Sequence, residues 1–218
     1  MPHKRKSFEE VQEILNILEE TYPEARCELN HENPFQLLIA TILSAQTTDK
    51  KVNQVTPDLF SKYPTPEDFL QMTQWELEEK IREIGLYRSK AANILKTCRI
   101  LVEEYHSQVP SEREALMKLP GVGRKTTNVV LSNAFGIPAI AVDTHVFRVS
   151  NRLGLARSDQ VAETEEQLME TIPKEQWSSA HHLLIFHGRR ICVARNPKCG
   201  LCPLKQYCQY YAEANNLS

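Results

Sequence analysis

A lysine at the start of a helix can act as an amine nucleophile, and Lys125 stands in such a place. It follows Leu119-Pro120-Gly121-Val122-Gly123-Arg124, where Pro120 and Gly121 end one helix and another begins near Arg124 and runs to about Phe135. Gly121 and Gly123 can take positive φ and let a backbone approach without a Cβ in the way, while the opening N–H groups of the next helix point into the turn. That makes the turn an anion site, and the phosphate of DNA is the anion it suits. Eighteen residues after Lys125, the run Val142-Asp143-Thr144-His145-Val146 supplies a carboxylate that reads as a helix N-cap, with Val146, Val149 and Leu153 forming an apolar stripe behind it. One helix and a return loop span that interval, so Lys125 and Asp143 can serve one cleft. The helix N-terminus and Arg124 both disfavour further positive charge at Lys125, as an attacking amine needs. An adjacent carboxylate pulls the other way, so Asp143 suits a different role, in which it stabilises positive charge on a sugar as its glycosidic bond breaks and aids proton transfer. His145 is adjacent to that site.

Cys192, Cys199, Cys202 and Cys208 form a C-x6-C-x2-C-x5-C set within 17 residues. Four thiolates so close together call for a metal. Six cysteines with no apolar signal segment point to a reducing cytosol and away from disulfides. Zinc sites usually pair two short Cys-x2-4-Cys arms across a longer gap, whereas one short arm with flanking spacers of six and five lets a single loop wrap an iron–sulfur cubane. Both metals stay open on spacing alone. Cys27 and Cys98 lie outside the set among core-like residues and read as buried thiols. His181, His182 and His187 lie on an apolar helix that ends at the cysteines, and read as core or interface histidines.

The overall charge of −2 hides an asymmetry. Residues 1–112 carry 13 basic and 19 acidic side chains, whereas residues 113–218 carry 13 basic and 9 acidic. From Gln176 to Ala212 there are five Lys or Arg, namely Arg189, Arg190, Arg195, Lys198 and Lys205, and no Asp or Glu. A near-neutral chain can thus present a local patch to nucleic acid.

The elements that must hold these groups read as helices with clear punctuation. Ser7 to Glu10 opens a helix with Val11, Ile14, Leu15 and Leu18 on one face, and Asn33-Pro34 opens another bearing Phe35, Leu38, Ile39 and Ile42. Thr65 to Asp68 and Thr73 to Glu76 read as further helix starts, Ser111 to Glu114 has capping-box character, and Gly85 reads as a helix stop before Leu86. No alternating strand pattern, long repeat or low-complexity segment is present, and Ala139 to Val142 is too short to carry a sheet. The fold class is all-α. At 218 residues with 41% hydrophobic content the chain can bury a core in one or two domains, and nothing approaches membrane-spanning length.

Together, Leu119 to Thr127, Val142 to Val146 and the four cysteines make the chain resemble the endonuclease III family of helix-hairpin-helix DNA glycosylases. Leu43-Ser44-Ala45-Gln46-Thr47-Thr48-Asp49 and Ile84-Gly85-Leu86-Tyr87-Arg88-Ser89-Lys90-Ala91 extend the resemblance, which covers about Phe8 to Tyr211. The resemblance implies a bifunctional base-excision repair enzyme that removes oxidised pyrimidines from double-stranded DNA and cuts the abasic strand by β-elimination. By resemblance Lys125 attacks C1′ to give a Schiff base, Asp143 assists, Gln46 fills the gap left by an extruded nucleotide and Leu86 wedges beside it. Gly121, Val122, Gly123, Arg124, His145, Arg195 and Lys198 would contact DNA, and Cys192, Cys199, Cys202 and Cys208 would hold a [4Fe–4S] cluster that is structural and DNA-positioning. Asn196 stands in the first cluster loop where the family would suit a cation. The resemblance also implies two lobes flanking a DNA cleft: a six-helix barrel with the hairpin at residues 27–137, and a cluster lobe from residues 1–26 and 138–218. The break at Gly136-Ile137-Pro138 agrees with that boundary. A cytoplasmic, nucleoid-associated bacterial monomer is expected. Two other readings are a related glycosylase acting on mismatched bases or pyrimidine dimers, and a non-enzymatic DNA-binding module.

Overall fold

The computed structural model describes residues 6–215. In chain order its α-helices are α1 (Phe8–Thr21), α2 (Pro34–Ser44), α3 (Asp49–Lys62), α4 (Pro66–Phe69), α5 (Gln74–Lys80), α6 (Tyr87–Tyr105), α7 (Arg113–Lys118), α8 (Arg124–Phe135), α9 (Thr144–Leu153), α10 (Val161–Thr171), α11 (Trp177–Arg190) and α12 (Gln209–Ala214). Among the described residues there is no β-strand, as the sequence pattern leads one to expect, and no helix is long and apolar enough to cross a membrane.

Side-chain caps set six of the twelve α-helix starts among the described residues. Ser7 with Glu10, Thr65 with Asp68 and Thr73 with Glu76 each close a reciprocal capping box, and Asn33 accepts from the Gln36 N–H ahead of Pro34. Each such cap stabilises its helix by about 1 kcal/mol. The box expected at Ser111 does not form. The N-cap of α7 is Glu112, which puts Ser111 one residue too early to reach the first-turn amides. Gly85 is likewise not the stop of a helix: α5 ends at Lys80 with Ile81 as its C-cap, and the left-handed residue is Leu86, the N-cap of α6 at φ 58°.

The helices fall into two compact units, Cys27–Ile137 with α2 to α8, and the remainder with α1 and α9 to α12. In the first unit α2 is the central helix. Every residue from Phe35 to Leu43 is buried, so burial extends beyond Phe35, Leu38, Ile39 and Ile42 to all sides of the helix. It packs against α3, α6 and α8. The one hydroxyl among its innermost residues, Thr41, donates to the Leu37 carbonyl at 2.7 Å. In the second unit Val11, Ile14, Leu15 and Leu18 of α1 join Val146, Val149 and Leu153 of α9 and Leu183, Leu184 and Phe186 of α11 in one core. Each fully buried side chain of this kind contributes about 1.5–3 kcal/mol. Gly188 sets the α9–α11 spacing, because a Cβ there would lie 3.0 Å from His145 Cβ and 3.1 Å from Val149 Cγ2. Cys98 is buried as expected, and burial pushes its thiol up to about 12, but Cys27 is only half-buried because it lies in the irregular segment after α1.

Candidate active site and metal centre

The hairpin before α8 is built as its sequence suggests, with one difference. Gly121 is left-handed at φ 79°, whereas Gly123 is extended at φ −100° because it is the N-cap of α8. Thr97 of α6 donates to the Pro120 carbonyl at 2.9 Å and pins the turn to its unit. Val122 is buried and its N–H is spent on the Leu119 carbonyl at 3.1 Å, so Val122 shapes the turn and anion binding falls to the amides at the start of α8. A Cβ at Gly123 would meet nothing within 4 Å, which leaves that side open. Arg124 and Lys125 are both exposed on the first turn of α8.

Gln46 and Leu86 come together in the same unit. Both are exposed and both are left-handed without being glycine, at φ 55° and 58°. The Gly85 N–H donates to Thr47 Oγ1 at 3.2 Å, which ties the turn before α6 to the loop after α2.

Asp143 is the half-buried N-cap of α9, and its Oδ1 accepts from the N–H groups of His145 and Val146, both at 2.8 Å. A carboxylate so held presents a fixed second oxygen. Burial pushes the pKa of His145 down, against the pull of Asp143, and its Nδ1 lies 3.2 Å from an Arg148 guanidinium nitrogen. Arg148 also donates to the carbonyls of Cys192 and Gly188, both at 2.9 Å. One turn on, Arg152 donates to the Val193 carbonyl at 2.8 Å and the Ala194 carbonyl at 3.0 Å, and its guanidinium lies 4.6 Å from the Tyr210 ring centre. The helix that Asp143 caps is thus fastened by two arginines to the first cysteine loop. Sequence reasoning misses both arginines, since a basic residue on an amphipathic helix looks like surface charge. On that loop Arg195 and Lys198 are exposed, and Asn196 is left-handed at φ 53°. Asparagine tolerates this conformation better than a long cation does.

Cys192, Cys199, Cys202 and Cys208 line one pocket of about 340 Å³, counting its open mouth, together with Leu153, Ile191, Pro197 and Tyr211. Four sulfurs about one zinc ion would lie only about 3.8 Å from each other. Four thiols arranged as walls fit a cluster that fills the space between them. His187 is buried, as expected for a core histidine, but it also faces this pocket: its Nδ1 is 3.1 Å from the Tyr22 hydroxyl and its Nε2 is 3.6 Å from Cys202 Sγ. Lys125, Gln46 and Leu86 belong to the first unit, and Asp143, His145 and the four cysteines to the second.

A two-unit helical protein with this hairpin, this capped carboxylate and this thiol pocket belongs to a known class. Residues 39–174 match the HhH-GPD superfamily of base excision DNA repair proteins, and residues 192–208, from the first cluster cysteine to the last, match the iron-sulfur binding domain of endonuclease III. Endonuclease III of Bacillus subtilis (strain 168) is 52% identical over 204 residues, 93% of each chain. A solved structure of a trapped endonuclease III–DNA covalent intermediate superposes with a TM-score of 0.91 at 53% identity, covering 96% of this chain and 99% of that one. A thermostable thymine-DNA glycosylase superposes with a TM-score of 0.83 at 28% identity, covering 94% and 98%. The chain belongs to the endonuclease III family: it is a base excision repair glycosylase with abasic-site lyase activity and an iron–sulfur cluster.

Proposed function

We propose that this protein excises oxidised pyrimidines from double-stranded DNA by attack of Lys125 on C1′ of the damaged nucleotide. The observation that carries the reading is an exposed amine in the first turn of α8, directly behind a hairpin whose helix N-terminus is open to phosphate. As the Lys125 nitrogen bonds to C1′, the base departs with the glycosidic electron pair and a proton, and the sugar ring opens to an imine. Loss of a C2′ proton then expels the 3′ phosphate by β-elimination, and water releases the lysine. Asp143 balances positive charge at the sugar as the base leaves and helps move the protons. Gln46 occupies the gap in the stack and hydrogen-bonds the widowed base, and Leu86 wedges beside it.

Arg124 and the amides at the start of α8 bind phosphate in the first unit, with Gly121, Val122 and Gly123 shaping the turn that presents them, and His145, Arg195 and Lys198 serve DNA in the second. The four cysteines hold a [4Fe–4S] cluster, which fixes the loop bearing Arg195 and Lys198. That an endonuclease III of the same fold was trapped as a covalent complex with DNA supports the amine chemistry. The protein works as a monomer in the bacterial cytoplasm, at the nucleoid.

Borohydride trapping on a duplex with one thymine glycol tests the central step. An adduct that forms with the wild type and vanishes in Lys125→Gln is expected. An adduct that persists in that variant moves the nucleophile elsewhere, and intact binding with no adduct at all points to a monofunctional glycosylase or a binding module. Asp143→Asn keeps an equally good N-cap, so it should lower base release about a hundredfold with little change in stability. Iron and sulfide assayed under anaerobic conditions should each approach about four per chain.

A further inference from the structure

Lys90 is the feature of the first unit that the proposed mechanism leaves unused. It lies on α6, is only 5% exposed, and points its ammonium at the C-terminal end of α2. There Nζ donates to the Leu43 carbonyl at 2.8 Å, the Ala45 carbonyl at 2.5 Å and Thr47 Oγ1 at 3.3 Å. An ammonium has three donors, and all three are matched. The negative end of α2 suits the charge. An amine so enclosed has no exposed lone pair, so Lys90 does not compete with Lys125 as a nucleophile.

Its partners flank Gln46 on both sides, at Ala45 and Thr47. Its own backbone reaches the other loop, because the Lys90 N–H donates to the Leu86 carbonyl at 3.0 Å. Thr47 Oγ1, which Lys90 holds, also accepts from the Gly85 N–H next to Leu86. A Cβ on Gly85 would lie 3.4 Å from both the Gln46 carbonyl oxygen and Thr47 Oγ1, so the two loops are in direct contact. One buried residue thereby bonds to the turns on which two non-glycine residues are held left-handed. Left-handed backbone at such residues persists only where the surroundings over-determine it, and it concentrates where a side chain must be aimed.

We infer that Lys90 is a positioning residue that locks the Gln46 loop to the Leu86 turn, so that both side chains enter the duplex as one preformed wedge. This rests on the reading that Gln46 and Leu86 enter DNA. A loop free to move would have to be ordered at the moment the nucleotide leaves the stack, and the clamp removes that step. Chemistry on a single-stranded abasic site needs no extrusion from a stack, so there the clamp has nothing to do.

The test compares two substrates, a duplex containing one thymine glycol and a single-stranded abasic oligonucleotide. Lys90→Met should lower single-turnover excision on the duplex about tenfold, while β-elimination on the single strand stays within about twofold of wild type. Thr47→Val, which removes one acceptor at a half-buried site, should act in the same direction at about threefold and carries the test if Lys90→Met does not fold. Adding Lys90→Met to the Gln46→Ala, Leu86→Ala double variant should cause no further loss on the duplex, because the clamp acts only through those side chains. Equal losses on both substrates, or an additive loss in the triple variant, would overturn the clamp in favour of a general packing role. If Gln46→Ala and Leu86→Ala cut duplex excision while Lys90→Met and Thr47→Val leave it unchanged, the clamp alone fails. If Gln46→Ala and Leu86→Ala also leave it unchanged, the underlying reading of the two side chains fails.

Discussion

The hairpin before α8 and the paired loops carrying Gln46 and Leu86 solve one backbone problem in opposite ways. Each needs a left-handed turn on the surface of the same unit. The hairpin places glycine there, Gly121 at φ 79°, and commits no side chain to that position. The other two turns place glutamine and leucine in the same region of φ and add a buried lysine beneath them. At the hairpin, which we propose to be the phosphate site, the chain uses the residue that takes the turn without strain. At Gln46 and Leu86, whose side chains we propose enter DNA, it accepts strain of about 1–2 kcal/mol per residue and supplies a brace.

The steepest loss should come on the hairpin side. Lys125→Gln leaves the turn intact while removing the amine, so strand cleavage at an abasic site should fall at least about a thousandfold with damaged-DNA binding preserved; a gel nicking assay beside a binding titration reads both. Next, Gly121→Ala should destabilise the protein by about 1–2 kcal/mol in urea unfolding, because φ 79° is strained for alanine and its Cβ would press the Asn93 side chain at 3.2 Å. The reverse exchange should have the reverse sign. Leu86→Gly relieves the left-handed residue, and Leu86 is 59% exposed, so little burial is lost and stability should rise by up to about 1 kcal/mol while duplex excision falls. A Leu86→Gly protein less stable than wild type would contradict the division between strain-free and braced turns.

The subtlest signal concerns pH. Burial pushes the pKa of Lys90 down to about 8 from an ordinary value of 10.5, so below about 8 both the folded and unfolded chains carry its proton and folding bears the cost of a desolvated charge. Between 8 and 10.5 the unfolded chain binds more proton than the folded one, and stability from this group rises with pH. Wild type should therefore gain on Lys90→Met by about 1 kcal/mol between pH 7.5 and 9.5 in paired urea titrations, the carbonyl partners limiting the gain.

Features fixed by neighbours along the chain were legible in the sequence. The caps at Ser7, Asn33, Thr65, Thr73 and Asp143 form as their residue types suggest, because each bond spans two or three residues. The hairpin and the cysteine pocket were legible through spacing for the same reason. What escaped depends on distant partners. Lys90 reads as one more helix cation until α2 is seen to end beside it, with acceptors more than forty residues away in sequence. Arg148 and Arg152 likewise reach acceptors about forty residues on. The left-handed backbone at Gln46 and Leu86 leaves no mark in residue type, since neither residue prefers it. Even the all-round burial of α2 was masked, because the sequence shows how apolar a helix is and the neighbours decide how much of it is covered.

Gly188 is not among the residues that line the thiol pocket. Even so, any side chain there would have to displace His145 and Val149, and with them the helix that begins at Asp143. In a survey of tolerated substitutions this silent position should therefore stand out as sharply as Lys125. Sequence intolerance at such a place would record the width of the seam between two helices.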